Sequence, residues 1–258
     1  MNEAELVLSY YLGCSRSSLY LNRNQILDKQ KGLLVATVLK RRIRKEPLAY
    51  ILGKQDFMGF DFFVDSRVLI PRQDTEVLVE TVLKYIKNTS EKKDILDIGT
   101  GSGCIAISLA LLAKNVKIVA TDISPQALNV ARCNAENYAV LSKINFVCCD
   151  LFPDEGRFDL IVSNPPYIKS KTIPELAEEI QYEPTLALDG GEDGLFYFRK
   201  IIQQADEYLK EKGILAVEIG FDQKEDVLAL FTARKKFKVE QVIKDYNGID
   251  RVVVARKN

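Results

Sequence analysis

The chain has 258 residues, with 36 basic and 36 acidic side chains, 47% apolar residues, five cysteines and no histidine. Its length and apolar content predict a globular protein with a full-sized core, built as one large domain or as an ordinary domain plus a small one. The lack of histidine excludes Ser-His hydrolases, histidine-based acid–base catalysis and most catalytic zinc sites. A net charge of zero argues against a protein that coats nucleic acid by bulk charge.

Cysteine spacing and apolar segments indicate where the protein works. The five cysteines are irregularly spaced and form no C-x-x-C pair, which argues against a disulfide framework and favours a reducing cytosol. No apolar stretch approaches the roughly 20 residues that span a membrane. Acidic residues near the N-terminus argue against a targeting peptide. We therefore expect a cytoplasmic protein without membrane segments.

The first 50 residues differ from the rest of the chain. They carry nine basic and four acidic side chains, a net charge of +5 that leaves −5 for the remainder. Apolar residues recur at helical spacing and no proline precedes Pro47, which predicts a small helical domain over residues 1–50. The basic run Lys40–Lys45 is either a solvated helix end or a docking patch for an acidic partner. Residues 51–71, rich in Phe and Gly, predict a β-hairpin linker, and residues 74–76 begin an amphipathic helix.

From Asp94 onward, predicted strands alternate with predicted helices. The strands cover 95–98, 117–122, 144–149, 158–163, 214–219, 237–244 and 251–255, and the helices cover 104–113, 125–137, 194–212 and 223–234. This alternation is typical of parallel βαβ units. We therefore predict an α/β domain with a doubly wound sheet over residues 72–258.

A glycine-rich loop follows the first of these strands and consists of Gly99, Thr100, Gly101, Ser102 and Gly103. Its G-x-G-x-G spacing differs from the G-x-G-x-x-G of dinucleotide sites. Asp97 lies two residues before the first glycine, and Asp122 ends the next strand, where a carboxylate can accept both hydroxyls of a ribose. Acids here suit a positively charged ligand, namely S-adenosylmethionine with its sulfonium and ammonium groups. A turn without a ligand and a nicotinamide cofactor are the alternatives.

The segment Asn164-Pro165-Pro166-Tyr167 directly follows the predicted strand 158–163. The Asn164 side-chain oxygen and the Pro165 carbonyl can accept hydrogen bonds from a planar nitrogen, in an amide or an exocyclic amino group, and Tyr167 can stack on it. Methylation of such a nitrogen needs no strong base, because the sulfonium is a good leaving group and the proton becomes acidic as the N–C bond forms. Catalysis would then rest on proximity and electrostatic alignment, which agrees with a chain that lacks histidine.

The two motifs together resemble the amino-methyltransferase superfamily. Further motifs resemble the PrmC/HemK family, the peptide chain release factor glutamine methyltransferases: Ile70-Pro71-Arg72-Gln73-Asp74-Thr75-Glu76, Glu183-Pro184 with Ala187–Leu195, and Glu218-Ile219-Gly220. The resemblance covers nearly the whole chain. It implies a class I S-adenosylmethionine-dependent methyltransferase fold, Rossmann-like, with a small N-terminal helical domain joined by a β-hairpin.

The resemblance also implies a reaction and its residues. The reaction is methyl transfer to the side-chain amide nitrogen of the glutamine in the Gly-Gly-Gln loop of class I release factors, which tunes translation termination. By position, the glycine-rich loop holds the methionine end of the cofactor, Asp122 the ribose, and Asp150 and Leu151 flank the adenine, where relatives can carry an aromatic residue in place of Leu151. The target glutamine is held by Asn164, Pro165, Pro166 and Tyr167, with Asn164 also bordering the cofactor.

Two further residues and one domain receive roles from the same resemblance. Phe57 and Glu76 are expected at the active-site mouth; the alternatives are a hairpin core residue and an acid at a helix N-terminus. The basic N-terminal domain is expected to grip the release factor away from the reacting glutamine.

Three other functions remain open from the sequence. A glutamine methyltransferase of a ribosomal protein needs the same site. A DNA or RNA amino-methyltransferase needs a recognition region, but only 91 of the 258 residues follow Tyr167, and that part is net acidic. The intact glycine loop and Asn164 argue against a cofactor-binding scaffold without activity. We expect no metal, no direct nucleic-acid binding and a monomer.

Overall fold

The computed structural model describes residues 3–24, 26–86 and 91–258. The N-terminal elements are helices and a hairpin: α1 (Glu3–Leu12), α2 (Arg16–Leu21), α3 (Lys29–Ile43), α4 (Leu48–Leu52), β1 (Lys54–Phe57) and β2 (Phe60–Phe63). A 3-10 turn over Gln73–Thr75 then leads directly into α5 (Glu76–Ile86). The structure thus agrees with the helical character predicted for the first 50 residues.

Strands and helices alternate through the rest of the chain. In order they are β3 (Lys93–Ile98), α6 (Cys104–Leu112), β4 (Val116–Asp122), α7 (Pro125–Asn137), β5 (Ile144–Cys148), β6 (Phe158–Ser163), α8 (Phe196–Tyr208), β7 (Leu209–Glu218), α9 (Lys224–Ala233), β8 (Phe237–Lys244) and β9 (Asp250–Lys257). Within the described residues, no helix is both long enough and apolar enough to cross a membrane.

One seven-stranded sheet organises this region, with the strand order β5-β4-β3-β6-β7-β9-β8. Strands β3 to β7 pair in parallel, which confirms the doubly wound α/β prediction. The pairs β7–β9 and β8–β9 are antiparallel. For β8 and β9 this follows from their connection, because only residues 245–249 separate them and a parallel crossover needs a dozen residues or more. The chain winds outward from β3 to β5 and returns on the other side as β6, so the strand order switches at β3.

Successive residues of the central strands face opposite sides of the sheet, as strand geometry requires. Leu160 of β6 belongs to the apolar core that contains α5 and α6, whereas Ile161 belongs to the core that contains α8 and α9. Both side chains are about 1% exposed or less. Within the described residues, the central strands are therefore buried on both faces, which leaves the edges and ends of the sheet for ligands.

The C-terminal end predicted for the helix over residues 194–212 is wrong. Helix α8 ends at Tyr208, and Leu209 begins strand β7, where it pairs with Phe158 of β6. The Leu209 side chain is fully buried in this pairing. Burial against Phe158, 51 residues earlier in the chain, thus overrides a local pattern that is typical of a continuing helix.

The β1–β2 hairpin packs into the core of the α/β region. Phe57 and Phe62 are both fully buried there, with their rings edge to face and their centroids 6.0 Å apart. Asn134 of α7 forms hydrogen bonds with both backbone groups of Phe63. Its Oδ1 accepts a hydrogen bond from the N–H at 2.8 Å, and its Nδ2 donates one to the carbonyl at 3.0 Å. The hairpin is thereby fixed to helix α7.

Candidate active site

A pocket of about 820 Å³, counted with its opening to solvent, lies at the carboxyl ends of β3, β4, β5 and β6. This is where the strand order switches, the place where open α/β sheets bind ligands. Other segments contribute to its wall, among them residues 67–69 and the side of the chain formed by Pro184, Leu186 and Ala187. The pocket brings together eight of the predicted site residues: Gly99, Gly101, Asp122, Asp150, Leu151, Asn164, Pro165 and Pro166.

The glycine-rich loop divides into residues that line the pocket and residues that shape the loop. Gly99 and Gly101 line it with left-handed φ angles of +72° and +56°, a conformation that favours glycine. Gly103 faces inward instead: a Cβ there would lie 2.9 Å from Ile107 Cδ1 and 3.1 Å from Ala131 Cβ. Gly103 therefore permits the close packing of α6 against α7.

Thr100 and Ser102 are buried and hold the loop from behind. The Thr100 hydroxyl donates a hydrogen bond to Asp97 Oδ2 at 2.6 Å. The Ser102 carbonyl accepts one from Asn134 Nδ2 at 2.9 Å. Neither residue lines the pocket.

Two carboxylates, those of Asp97 and Asp122, form hydrogen bonds with the glycine-rich loop. Burial raises the pKa of Asp97 to about 7, and the Thr100 hydroxyl opposes this shift by stabilising the carboxylate. Burial also raises the pKa of Asp122, whereas the hydrogen bonds that its carboxylate accepts from backbone N–H groups act in the opposite direction. Asp122 Oδ2 accepts the N–H of Gly101 at 2.8 Å, and its Oδ1 accepts that of Ser124 at 2.9 Å.

Asp150 and Leu151 lie on the wall beyond β5. Asp150 forms an ion pair with Lys200 at 3.0 Å. Leu151 has a left-handed φ of +66°, and its carbonyl accepts a hydrogen bond from the Thr121 hydroxyl at 2.7 Å. Sequence reasoning missed two apolar neighbours in this wall, Ile123 and Tyr197. Ile123 directly follows Asp122, whereas no motif indicates Tyr197, which α8 brings in from a distance.

Asn164 begins the loop after β6 and lines the pocket with Pro165 and Pro166. Its Nδ2 donates a hydrogen bond to the Thr75 hydroxyl oxygen at 3.0 Å. Thr75 is 2% exposed and ends the 3-10 turn before α5. The motif containing Thr75 supports the family resemblance, but nothing in the sequence pairs Thr75 with a residue 89 positions away.

Tyr167 does not line the pocket but packs behind it. Its hydroxyl donates to Glu218 Oε1 over 3.4 Å, and its carbonyl accepts from Gln223 Nε2 at 3.0 Å. Glu218, at the end of β7, is 1% exposed. Burial raises its pKa to about 7, while the Thr75 hydroxyl and the Arg251 guanidinium act in the opposite direction.

The expected positions of Phe57 and Glu76 at the mouth need correction. Phe57 lies in the apolar core, because burying its ring gains more than exposing it at a polar opening. Glu76 begins α5, and its carboxylate accepts the N–H of Met58 in the hairpin turn at 2.8 Å. Neither residue lines the pocket.

A strap of irregular chain, residues 168–195, closes over the loop that carries Asn164. Glu183 joins this strap to the segment before α5, since its carboxylate accepts the N–H of Ile70 at 3.0 Å and pairs with Arg72. The N-terminal helices reach the same strap through an ion pair between Arg42 and Glu179 at 2.7 Å. The strap thus connects the pocket rim with the basic end of α3.

Comparison with known proteins adds independent evidence. A PrmC N-terminal domain model matches residues 1–53, and a methyltransferase small domain model matches residues 73–192. A release factor glutamine methyltransferase of Geobacter sulfurreducens is 44% identical over 257 residues, which cover 98% of this chain and 88% of that protein. One of Clostridium acetobutylicum is 39% identical over 260 residues, covering 99% and 90%.

The solved structures support the fold alone. A methyltransferase from Pyrococcus furiosus matches with a TM-score of 0.56 at 19% sequence identity, covering 86% of this chain and 98% of that chain. The curated relatives confirm, over nearly the whole chain, the resemblance noted from the sequence motifs. Given the identity and coverage of its relatives, the chain belongs to the release factor glutamine methyltransferase family.

Proposed function

We propose that this protein transfers a methyl group from S-adenosylmethionine to the side-chain amide nitrogen of the glutamine in the Gly-Gly-Gln loop of class I peptide chain release factors. The observation that carries the proposal is the convergence of Asn164 and the glycine-rich loop in one pocket. Membership of the family supports the same substrate.

The pocket has the features that this cofactor needs. Gly99 and Gly101 leave the loop surface open, because a Cβ on either residue would meet no atom closer than 4.0 Å. Asp122 offers carboxylate oxygens for the ribose hydroxyls, and Ile123, Leu151 and Tyr197 offer apolar surface for the adenine. Once bound, the cofactor supplies a methyl carbon on a positively charged sulfur.

Asn164 and Pro165 are the proposed catalytic residues. The Asn164 side-chain oxygen and the Pro165 carbonyl accept the two N–H groups of the substrate amide and hold its nitrogen toward the methyl carbon. As the N–C bond forms, the bond between that carbon and the sulfur would break, and the sulfur would keep the electron pair as a neutral thioether. The product carries an N–CH₃ group in place of one N–H, and the displaced proton passes to water. No side chain has to act as a strong base, so the residues accelerate the reaction by alignment.

Pro166 and Tyr167 complete the substrate loop in this proposal. Pro166 fixes the backbone beside Pro165. Tyr167 supports the loop from behind through Glu218 and Gln223 rather than by stacking on the substrate.

Residues 1–50 serve as the docking domain for the release factor. Helix α3 exposes apolar side chains that a partner can cover, among them Leu33 at 61% and Ile43 at 78% exposure. Arg42 and Arg44 at the end of the same helix contact the strap over the pocket. A protein bound there would lie beside the strap, so that a protruding Gly-Gly-Gln loop of the same protein could enter the pocket.

The remaining elements of the proposal follow from the substrate. A release factor acts in translation, so the protein works in the cytoplasm. It acts as a monomer on a protein substrate and does not bind nucleic acid directly.

Methyl transfer itself tests the proposal. Labelled S-adenosylmethionine is incubated with the protein and a purified release factor, beside a Gly-Gly-Ala version of that factor, and the modified peptide is identified by mass. Label on the glutamine alone supports the proposal. Cofactor binding without label on either factor contradicts it and directs the search to ribosomal proteins.

The docking role has its own test. Ile43→Glu should raise the KM for the intact release factor at least tenfold and leave the turnover of a short Gly-Gly-Gln peptide unchanged. Equal effects on both substrates would contradict a docking role for α3.

A further inference from the structure

An asparagine amide has two different ends, and the reaction can use only one of them. The oxygen accepts hydrogen bonds, whereas the NH₂ group only donates them. The reacting amide nitrogen of the substrate presents N–H groups, so it needs the oxygen of Asn164. If the Asn164 amide were turned by 180°, its NH₂ group would face the N–H groups of the substrate, and no hydrogen bond could form between two donors. Whatever holds the Asn164 amide in one orientation therefore contributes to the rate.

The structure contains a partner that distinguishes the two ends. Asn164 Nδ2 lies 3.0 Å from Thr75 Oγ1, so the NH₂ end is bound to the protein and the oxygen is left for the pocket that Asn164 lines. Thr75 is 2% exposed, and water therefore cannot easily replace its hydroxyl. The two residues come from separate elements, the turn before α5 and the loop after β6.

A hydroxyl can both donate and accept, so Thr75 orients the amide only if its own hydrogen is directed elsewhere. We expect that hydrogen to point toward the buried carboxylate of Glu218. This carboxylate is 1% exposed, and within the described ranges its buried Oε2 has no hydrogen-bond partner, so it is an acceptor that still needs a donor. The Thr75 hydroxyl interacts with this carboxylate and stabilises its charged form. With its hydrogen turned toward Glu218, Thr75 offers Asn164 a lone pair, which only the NH₂ end can use.

We propose that Thr75 is a positioning residue for methyl transfer: it accepts a hydrogen bond from Asn164 Nδ2 and thereby keeps Asn164 Oδ1 facing the substrate amide. This inference rests on the proposed function and adds to it the group that sets the polarity of the catalytic amide. Glu218 acts behind Thr75 by taking the hydroxyl hydrogen.

Removing the hydroxyl should slow the chemical step without weakening cofactor binding. Thr75→Val keeps the shape and the methyl group of the buried side chain and lets the Asn164 amide turn. We expect kcat to fall about 10- to 100-fold, by analogy with the loss seen when the hydrogen-bond partner that orients a metal-binding side chain is removed. The Kd for S-adenosylmethionine should change less than threefold, because Thr75 does not line the pocket.

Two further variants separate orientation from packing. Thr75→Ser retains the hydroxyl and should recover kcat to within about threefold of the wild type, although it loses the buried methyl group. Thr81→Val is the matched control, since Thr81 is also buried, lies in α5 and has a hydroxyl without a hydrogen-bond partner within the described ranges. It should leave kcat unchanged. Thermal melting of all three variants reports their folding.

Several outcomes would overturn the proposal. Thr75→Val with wild-type kcat would show that the hydroxyl is dispensable, and Thr75→Ser as slow as Thr75→Val would show that the methyl group matters instead. Wild-type protein that binds S-adenosylmethionine but leaves the release factor unmodified would contradict the proposed function, a result distinct from any effect of the variants.

A measurement on the free protein tests the orientation without the reaction. The side-chain NH₂ resonances of Asn164, identified by their loss in Asn164→Ala, should shift in Thr75→Val and remain in place in Thr75→Ser and Thr81→Val. Unshifted resonances in Thr75→Val would contradict the inference even if the enzyme had slowed.

Discussion

The backbone N–H of Gly101 donates a hydrogen bond to Oδ2 of Asp122 at 2.8 Å, which ties the glycine-rich loop to the end of strand β4. The other carboxylate oxygen accepts the N–H of Ser124 at 2.9 Å. Two features that the sequence suggests separately as cofactor ligands therefore hold each other in place. The carboxylate is oriented before any ligand arrives, which lowers the entropic cost of binding.

Asp122→Ala should weaken cofactor binding before it affects the rate. Loss of hydrogen bonds to a charged group costs about 1.5–3 kcal/mol, so we expect the Kd for S-adenosylmethionine to rise about 10- to 100-fold. The rate at saturating cofactor should fall much less. Isothermal titration calorimetry measures the Kd, with Asp226→Ala on the exposed face of α9 as a control. An unchanged Kd would argue against a role for Asp122 in binding.

Asn164→Ala should have the opposite profile. Removal of one aligned polar contact in a preorganised site lowers the chemical rate by roughly 10²–10³. Cofactor affinity should fall much less, because the glycine-rich loop and Asp122 remain. Single-turnover methylation of the release factor gives the rate, and an Asn164→Ala enzyme as fast as the wild type would exclude the catalytic role.

Glu218 should make the protein less stable as the pH rises. Burial raises its pKa from 4.5 to about 7, so between these values the unfolded chain releases a proton that the folded chain retains. The contribution of this group to stability therefore declines from about pH 4.5 to about pH 7 and is level above that range. Glu218→Gln removes this dependence.

Melting temperatures across that range test the prediction. The difference between Glu218→Gln and the wild type should grow in favour of the variant from pH 4.5 to pH 7 and then stay constant. Asp97, whose pKa is also raised to about 7, is present in both proteins and cancels in the difference. A difference that does not vary with pH would show that Glu218 titrates normally.

Gly190→Ala should destabilise the loop that carries Asn164. A Cβ at Gly190 would lie 2.7 Å from Tyr167 Cα and 2.8 Å from Tyr167 C, both backbone atoms that cannot rotate away. Overpacking of this kind costs about 1–3 kcal/mol, and it should slow the enzyme as well. Gly32→Ala is the matched control: Gly32 lies in α3 with no atom within 4 Å of a new Cβ. That change should stabilise the protein by up to about 1 kcal/mol.

Urea denaturation gives both free energies of unfolding. Equal stabilities for Gly190→Ala and the wild type would mean that the strap can move away from Tyr167 at little cost.

Elements whose signals are local follow directly from the sequence. Helix α7 has the predicted bounds, Pro125–Asn137, because Ser124 caps its first turn through the N–H of Ala127 and proline suits its first position. Strand β6 likewise has the predicted bounds, Phe158–Ser163. The glycine-rich loop and the loop after β6 are identifiable in the same way, since adjacent residues encode each turn. Their convergence follows from the parallel sheet that the alternating pattern predicts.

Tertiary structure alone decided which distant groups meet. Four features bring together segments that share no local sequence pattern. They are the hydrogen bond between Asn164 and Thr75, the pairing of Leu209 with Phe158, the burial of Phe57 in the core and the position of Tyr197 in the pocket wall. A side chain's own neighbours along the chain set its turn or cap. The pairing of distant buried donors and acceptors depends on how the helices pack on the sheet. An arrangement that leaves a buried polar group unpaired, or an apolar side chain exposed, costs free energy, and the packing of the whole domain determines which arrangement avoids that cost.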